Sequence, residues 1–149
     1  MRALGIDLGA KRIGVAVSDA SGVLASPLAT VQRRGDAPAE QADIARLVAE
    51  EDATVVVVGL PVNMDGSRGP AAQAAAAEAD VLAAALPVPV EMIDERLTTV
   101  TADRALQATG RRGRDRRRVV DQTAAAVLLQ SWLDGPRGRL WRGESCSPR

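Results

Sequence analysis

The 149-residue sequence contains no histidine, no phenylalanine and no tyrosine, and only one cysteine and two tryptophans. Without histidine, Ser-His-Asp and Cys-His catalysis are excluded, as are histidine metal sites and a histidine general base. The lone Cys146 lies in a Pro/Arg/Ser-rich tail without a partner, so neither a disulfide framework nor a zinc site is expected. With Trp132 and Trp141 the only aromatics, single strands cannot be gripped by an aromatic stacking platform. No apolar run is long enough to span a bilayer, and the opening MRALGID enters strand-like sequence with no signal core or cleavage site. A cytoplasmic protein without a membrane partner is the expectation. Lysine is almost missing too: Lys11 is the one exception among 19 basic residues, and 19 acids bring the formal net charge to zero. Beside so much alanine, this arginine bias reads as a mark of a high-GC genome. What is left for chemistry is carboxylates, hydroxyls, amides and guanidiniums, which suit hard cations and phosphate.

Against that background Asp7 stands out. It interrupts ALGIDLG, a run that otherwise reads as a wholly apolar strand. A lone carboxylate there costs several kcal/mol unless something positive pairs with it. The continuation GAKRIGVAVSD reads as a tight basic turn and a returning strand, which leaves one acid at the base of a hairpin. An Asp that merely begins the turn is the plain alternative. Glu95 and Asp121, two further acids in apolar settings, favour a metal site instead.

At this length the chain is expected to form one domain, over residues 1–135, followed by a mobile tail, 136–149. Strands are expected over Ala3–Leu8, Ile13–Ser18 and about Val23–Val31, the last at a sheet edge because Pro27 lacks a donor. Helical spacing follows over Ala39–Glu51, then a β-branched strand at Thr54–Gly59 and a helix from Pro70 to Leu86. A fifth strand spans Val90–Asp94, and helices are expected over about Thr98–Ala108 and Val119–Leu133, separated by an Arg-rich loop. The order β-β-β-α-β-α-β-α-α predicts an α/β fold: a mixed five-stranded sheet, three antiparallel strands then parallel ones, covered by helices. Ligands in such sheets gather at the carboxyl ends of strands. Asp7, Glu95 and Asp121, the last in the first turn of its helix, can converge there.

Four blocks, GIDLGAKRIGVAVSD, VVVGLPVNMDGSRGP, DERLTTVTA and DQTAAAVLLQSWL, resemble the YqgF/RuvX family over nearly the whole chain. The first block is shared with kinases of the actin/hexokinase superfamily; the order and spacing of all four are specific. The resemblance implies a ribonuclease H-like fold and a nuclease for the 5′ end of pre-16S rRNA, with Holliday junction resolution described for some members. Carried over by position, it places the catalytic and metal-binding acids on Asp7, Glu95 and Asp121. Three carboxylates without histidine suit Mg²⁺ or Mn²⁺, which can activate water for in-line attack on phosphorus. Asp94 competes with Glu95 for the second position. Related resolvases of the RuvC type carry a fourth carboxylate one helical turn after the third; here that position is Ala124, which puts two fully ligated ions in doubt.

The Arg-rich segment Arg111, Arg112, Arg114, Arg116, Arg117 and Arg118 precedes Asp121 and is expected to grip phosphates flanking the cut, although such runs are often only solvated. Lys11 and Arg12 at the hairpin tip, Asn63 and Arg68 in the Gly-rich loop, and Arg96 are further nucleic-acid-binding candidates. The expected activity is thus a metal-dependent endonuclease on structured RNA, acting as a monomer or weak homodimer. A junction resolvase, which needs two paired sites, and a catalytically silent nucleic-acid-binding factor are the alternatives. A sugar or acetate kinase would need a second lobe, for which 149 residues leave no room.

Overall fold

The computed structural model describes residues 1–63, 65–95 and 113–144, with side chains in the last stretch from residue 124 onward. Its elements are β1 (Arg2–Leu8), β2 (Arg12–Ser18), β3 (Ala25–Gln32), α1 (Ala37–Glu50), β4 (Ala53–Leu60), α2 (Pro70–Ala85), β5 (Val90–Asp94), α3 (Gly113–Asp134) and α4 (Pro136–Trp141). The sheet order is β3-β2-β1-β4-β5. β1, β2 and β3 form an antiparallel meander, while β4 and β5 add in parallel to β1. β3 is an edge strand, and its register slips by one residue beside Pro27, where the lost donor is tolerated. It begins at Ala25 rather than Val23. The cause is Asp19, whose carboxylate accepts from the amides of Val23 and Leu24 and the hydroxyl of Ser21, folding those residues into a loop.

Strand alternation divides the core between two faces. Leu4, Ile6, Ile13, Val15, Val56 and Val58 pack with Ile44 and Leu47 of α1 and Leu82 of α2. Ala3, Ala16, Val55 and Val57 face Ala125, Leu128, Leu129, Trp132 and Leu133 of α3. Small residues on this second face let α3 lie close to the sheet. A Cβ on Gly5 would come within 2.7 Å of the Leu129 Cβ and 3.0 Å of the Ala125 carbonyl.

Two expectations are corrected at the C-terminal end. The Arg-rich segment is not a loop from 113 onward: α3 starts at Gly113, so Arg114, Arg116, Arg117 and Arg118 lie on its first two turns. Arginine is a good helix former even where no apolar periodicity announces a helix. Over residues 136–144 the tail is not loose either. Pro136 opens α4, Trp141 packs on Trp132 with ring centroids 5.7 Å apart, and its indole N–H donates to the Thr54 hydroxyl. Arg142 then donates to the carbonyls of Gly22 and Leu133. The helix expected over 98–108 lies outside the described residues. No helix among the described residues is long and apolar enough to cross a membrane.

Candidate functional site

Asp7 belongs to the alternating set Ala3, Gly5, Asp7, which faces α3 at the carboxyl end of β1. Neighbouring β4 ends its valine run at Gly59, paired with Ile93 of β5. The chain leaves β5 at Asp94, and the next side chain, Glu95, folds back over Gly59 on the α3 side. A Cβ at residue 59 would stand 2.6 Å from the Glu95 Oε1 and 2.8 Å from its Cγ. Only the bare glycine lets Glu95 cross β4 and hydrogen-bond Asp7. Asp94 is paired with Leu60, one residue out of step with this face, and acts on Glu95 only through its charge. Gly59 lies inside the second motif block without a role assigned to it there, although a glycine closing an otherwise β-branched buried strand is itself a signal of close approach.

The two carboxyls cannot both ionise comfortably at such range. Burial first, then the hydrogen bond and charge of Asp7, and finally the charge of Asp94, push Glu95 from its ordinary value of 4.5 up to about 8. At neutral pH Glu95 therefore keeps its proton beside Asp7. A folded-state value raised above the unfolded one favours the fold when Glu95 is protonated. That contribution is complete below about 4.5 and is lost as pH rises through about 8. The metal-free protein should accordingly melt lower at about pH 8.5 than at about pH 5.5 through this group, and Glu95→Gln should flatten the profile. Divalent-ion affinity should rise over the same interval with release of a proton. Calorimetric melts and ion titrations in two buffers of different ionisation heat would measure both. An affinity independent of pH would show that Glu95 holds no ion.

Asp121 is not in a first turn. It stands eight residues into α3, beyond the reach of the helix N-terminal dipole, so the capping explanation for it falls away. α3 runs back along the sheet: Leu128 meets Gly59 at the end of β4, while Trp132 donates to Glu91 near the start of β5. Two turns before Leu128, and one before Ala125, the backbone of Asp121 is thus at the carboxyl edge of the strands. Its side chain lies outside the described residues, and among those residues no group of three His, Cys, Asp or Glu side chains is gathered.

Of the expected phosphate-gripping residues, Lys11 is exposed at the β1–β2 tip and Arg12 is half-buried at the start of β2. Asn63 is exposed and also builds its own loop. Its amide group donates to Ser67 and its backbone exchanges hydrogen bonds with Ser67 and Gly66, closing the 63–67 loop. Arg68, exposed, lines a cleft of about 520 Å³ along β5 with Glu91 and Asp94. Arg96, Arg111 and Arg112, and the side chains of Arg114, Arg116, Arg117 and Arg118, lie outside the described residues.

A family described as "RuvX: Holliday junction resolvase" matches residues 1–135. The chain belongs to the RuvX family. A relative from Myxococcus xanthus (strain DK1622) named "Putative pre-16S rRNA nuclease" is 52% identical over 138 residues, spanning 92% of this chain and 90% of that one. A relative of the same name from Anaeromyxobacter dehalogenans (strain 2CP-C) is 51% identical over 134 residues, or 90% and 97% of the two chains. In three dimensions the RuvX chain is similar to Thermus thermophilus RuvC, solved with a Holliday junction substrate, with a TM-score of 0.55 and 16% identity over 89% of this chain and 94% of that chain. That likeness establishes the ribonuclease H-like fold. RuvX proteins are nucleases by family, so nucleic acid is the partner and phosphodiester hydrolysis the reaction class.

Proposed function

We propose that this RuvX protein is a divalent-metal-dependent endonuclease that trims the 5′ end of pre-16S rRNA, with Asp7, Glu95 and Asp121 as the metal-binding acids. The observation that carries this reading is the Asp7–Glu95 pair, in which a half-buried Glu95 folds over Gly59, hydrogen-bonds Asp7 and holds its proton up to about pH 8. The donor set fits a hard cation: oxygen ligands only, from a chain without histidine. A bound Mg²⁺ or Mn²⁺ would supply Lewis-acid stabilisation of the phosphate and acidify an attacking water. The protein's own part is to hold the acids at one end of the sheet, to give up the Glu95 proton when substrate and ion arrive, and to exclude bulk water with the Leu128 side of α3. Lys11, Arg12, Arg68, Arg96 and the arginines from Arg111 to Arg118 serve as phosphate contacts, with Asn63 shaping the loop that carries Arg68. The names of the relatives favour the rRNA precursor; the family description favours a four-way junction as second reading.

Purified protein should be incubated with a 5′-extended 16S precursor and, separately, with a four-way junction, each with Mn²⁺ and with chelator. Cutting of the precursor alone, only when Mn²⁺ is present, is the expected result. Cutting of the junction alone would replace the substrate, and cutting that survives chelation would overturn the metal role.

A further inference from the structure

Arg33 lies just past β3, in a segment that reads as a polar loop, yet its side chain is mostly buried. It holds the β1–β2 turn from both sides. Its backbone amide donates to the Lys11 carbonyl (3.0 Å), and its Nε donates to the Gly9 carbonyl (2.8 Å). Gly9 in turn donates its amide to the carbonyls of Arg12 and Asp7, closing the turn directly behind Asp7. The rest of the guanidinium reaches away from the sheet. It makes a two-pronged pair with Glu78 of α2 (2.7 and 3.1 Å) and a longer contact with Glu40 of α1 (3.3 Å). Glu40 is 5% exposed, and its other oxygen accepts from the Arg34 amide.

A charged group buried this far is costly unless its partners are well placed, and here three elements converge on one guanidinium. Plain stabilisation of α1 and α2 would need no bond to the turn. We infer that Arg33 is a positioning residue for the nuclease site: anchored by Glu78 and Glu40, it fixes the turn that sets Asp7 and presents Lys11. This inference rests on the metal-site reading of Asp7. Lysine cannot replace it, because an ammonium has no planar fork to serve a carbonyl and a bidentate carboxylate together.

The test compares wild type, Arg33→Lys, Glu78→Gln and Arg34→Lys, the last an exposed neighbour whose guanidinium pairs with half-buried Asp43. Mn²⁺ affinity is read by electron paramagnetic resonance, Gly9 amide exchange by NMR without metal, and cleavage rate across a Mn²⁺ titration. In Arg33→Lys, Mn²⁺ affinity should fall by about tenfold, the lower range for loss of a group supporting a metal ligand. Gly9 exchange should quicken, and the cleavage rate should recover at saturating Mn²⁺. Glu78→Gln should shift the same three readouts by less, and Arg34→Lys should shift none. If wild type binds Mn²⁺ and Arg33→Lys binds it equally, with Gly9 as protected as before, the positioning role is overturned while the metal site stands. If wild type itself binds no Mn²⁺, the metal-site reading fails and takes this inference with it.

Discussion

Asp7→Asn should abolish cleavage, lowering the rate by more than about 100-fold, the upper range for disturbing the groups that merely support a metal ligand. The substitution keeps the shape of the side chain and removes the charge. It also removes part of what holds the Glu95 proton, since the hydrogen bond and charge of Asp7 follow burial among the causes of its raised value. Glu95 in the variant should therefore ionise below about 8, though still above its ordinary 4.5 because burial persists. Two observables separate this from unfolding. The metal-free variant should melt no lower than wild type above about pH 8, where Glu95 of the wild type has lost most of its proton. Its Mn²⁺ affinity should be largely lost. Cleavage near the wild-type rate would remove Asp7 from the site.

Gly59→Ala should be the next most damaging change, although residue 59 carries no functional group. The new methyl would meet the Leu128 Cδ1 at 2.2 Å and the Glu95 Oε1 at 2.6 Å. Both are ends of side chains and can move, so the fold should survive at a cost of about 1–3 kcal/mol, as usual for overpacking. Glu95, which meets the methyl with both its Oε1 and its Cγ, should yield by moving off residue 59 and away from Asp7. Cleavage should fall by about 10- to 100-fold, and the carboxyl should return towards its ordinary ionisation. Single-turnover rates and a carbon-detected NMR titration of Glu95 would follow the two effects. A folded Gly59→Ala protein that cuts normally would show that Glu95 does not need to cross β4.

Strand alternation and the β-branched run make the sheet legible in the sequence, down to the edge position indicated by Pro27. The carboxyl-end placement of Asp7 and Glu95 follows from the same pattern. What escapes are features with no periodic signature. The early start of α3 is hidden because Gly113–Arg118 has no apolar stripe, only good helix-forming arginines. Six-residue α4 is too short to show a period, and it is held by Trp141 and Arg142 contacts that span more than 80 residues of chain. Arg33 looks like one polar loop residue among several, because its partners Glu40 and Glu78 come from different helices. Gly59 reads only as the end of a strand, whereas its use lies in the side chain that passes over it.

The indole pair gives the protein an unusual optical economy. Trp132 and Trp141 are its only tryptophans, there is no tyrosine, and both rings sit where β4 and β5 begin, at Thr54 and Glu91. Asp7 and the Glu95 side chain lie at the opposite, carboxyl edge of the sheet. Emission excited in the near ultraviolet therefore reports whether the last helix is docked and is insulated by the length of the sheet from events at the carboxylates. Denaturation followed by fluorescence will register release of residues 136–144, whereas denaturation followed by far-ultraviolet dichroism will register loss of the sheet and long helices. A gap between the two midpoints would measure how far the C-terminal latch opens ahead of the body it closes.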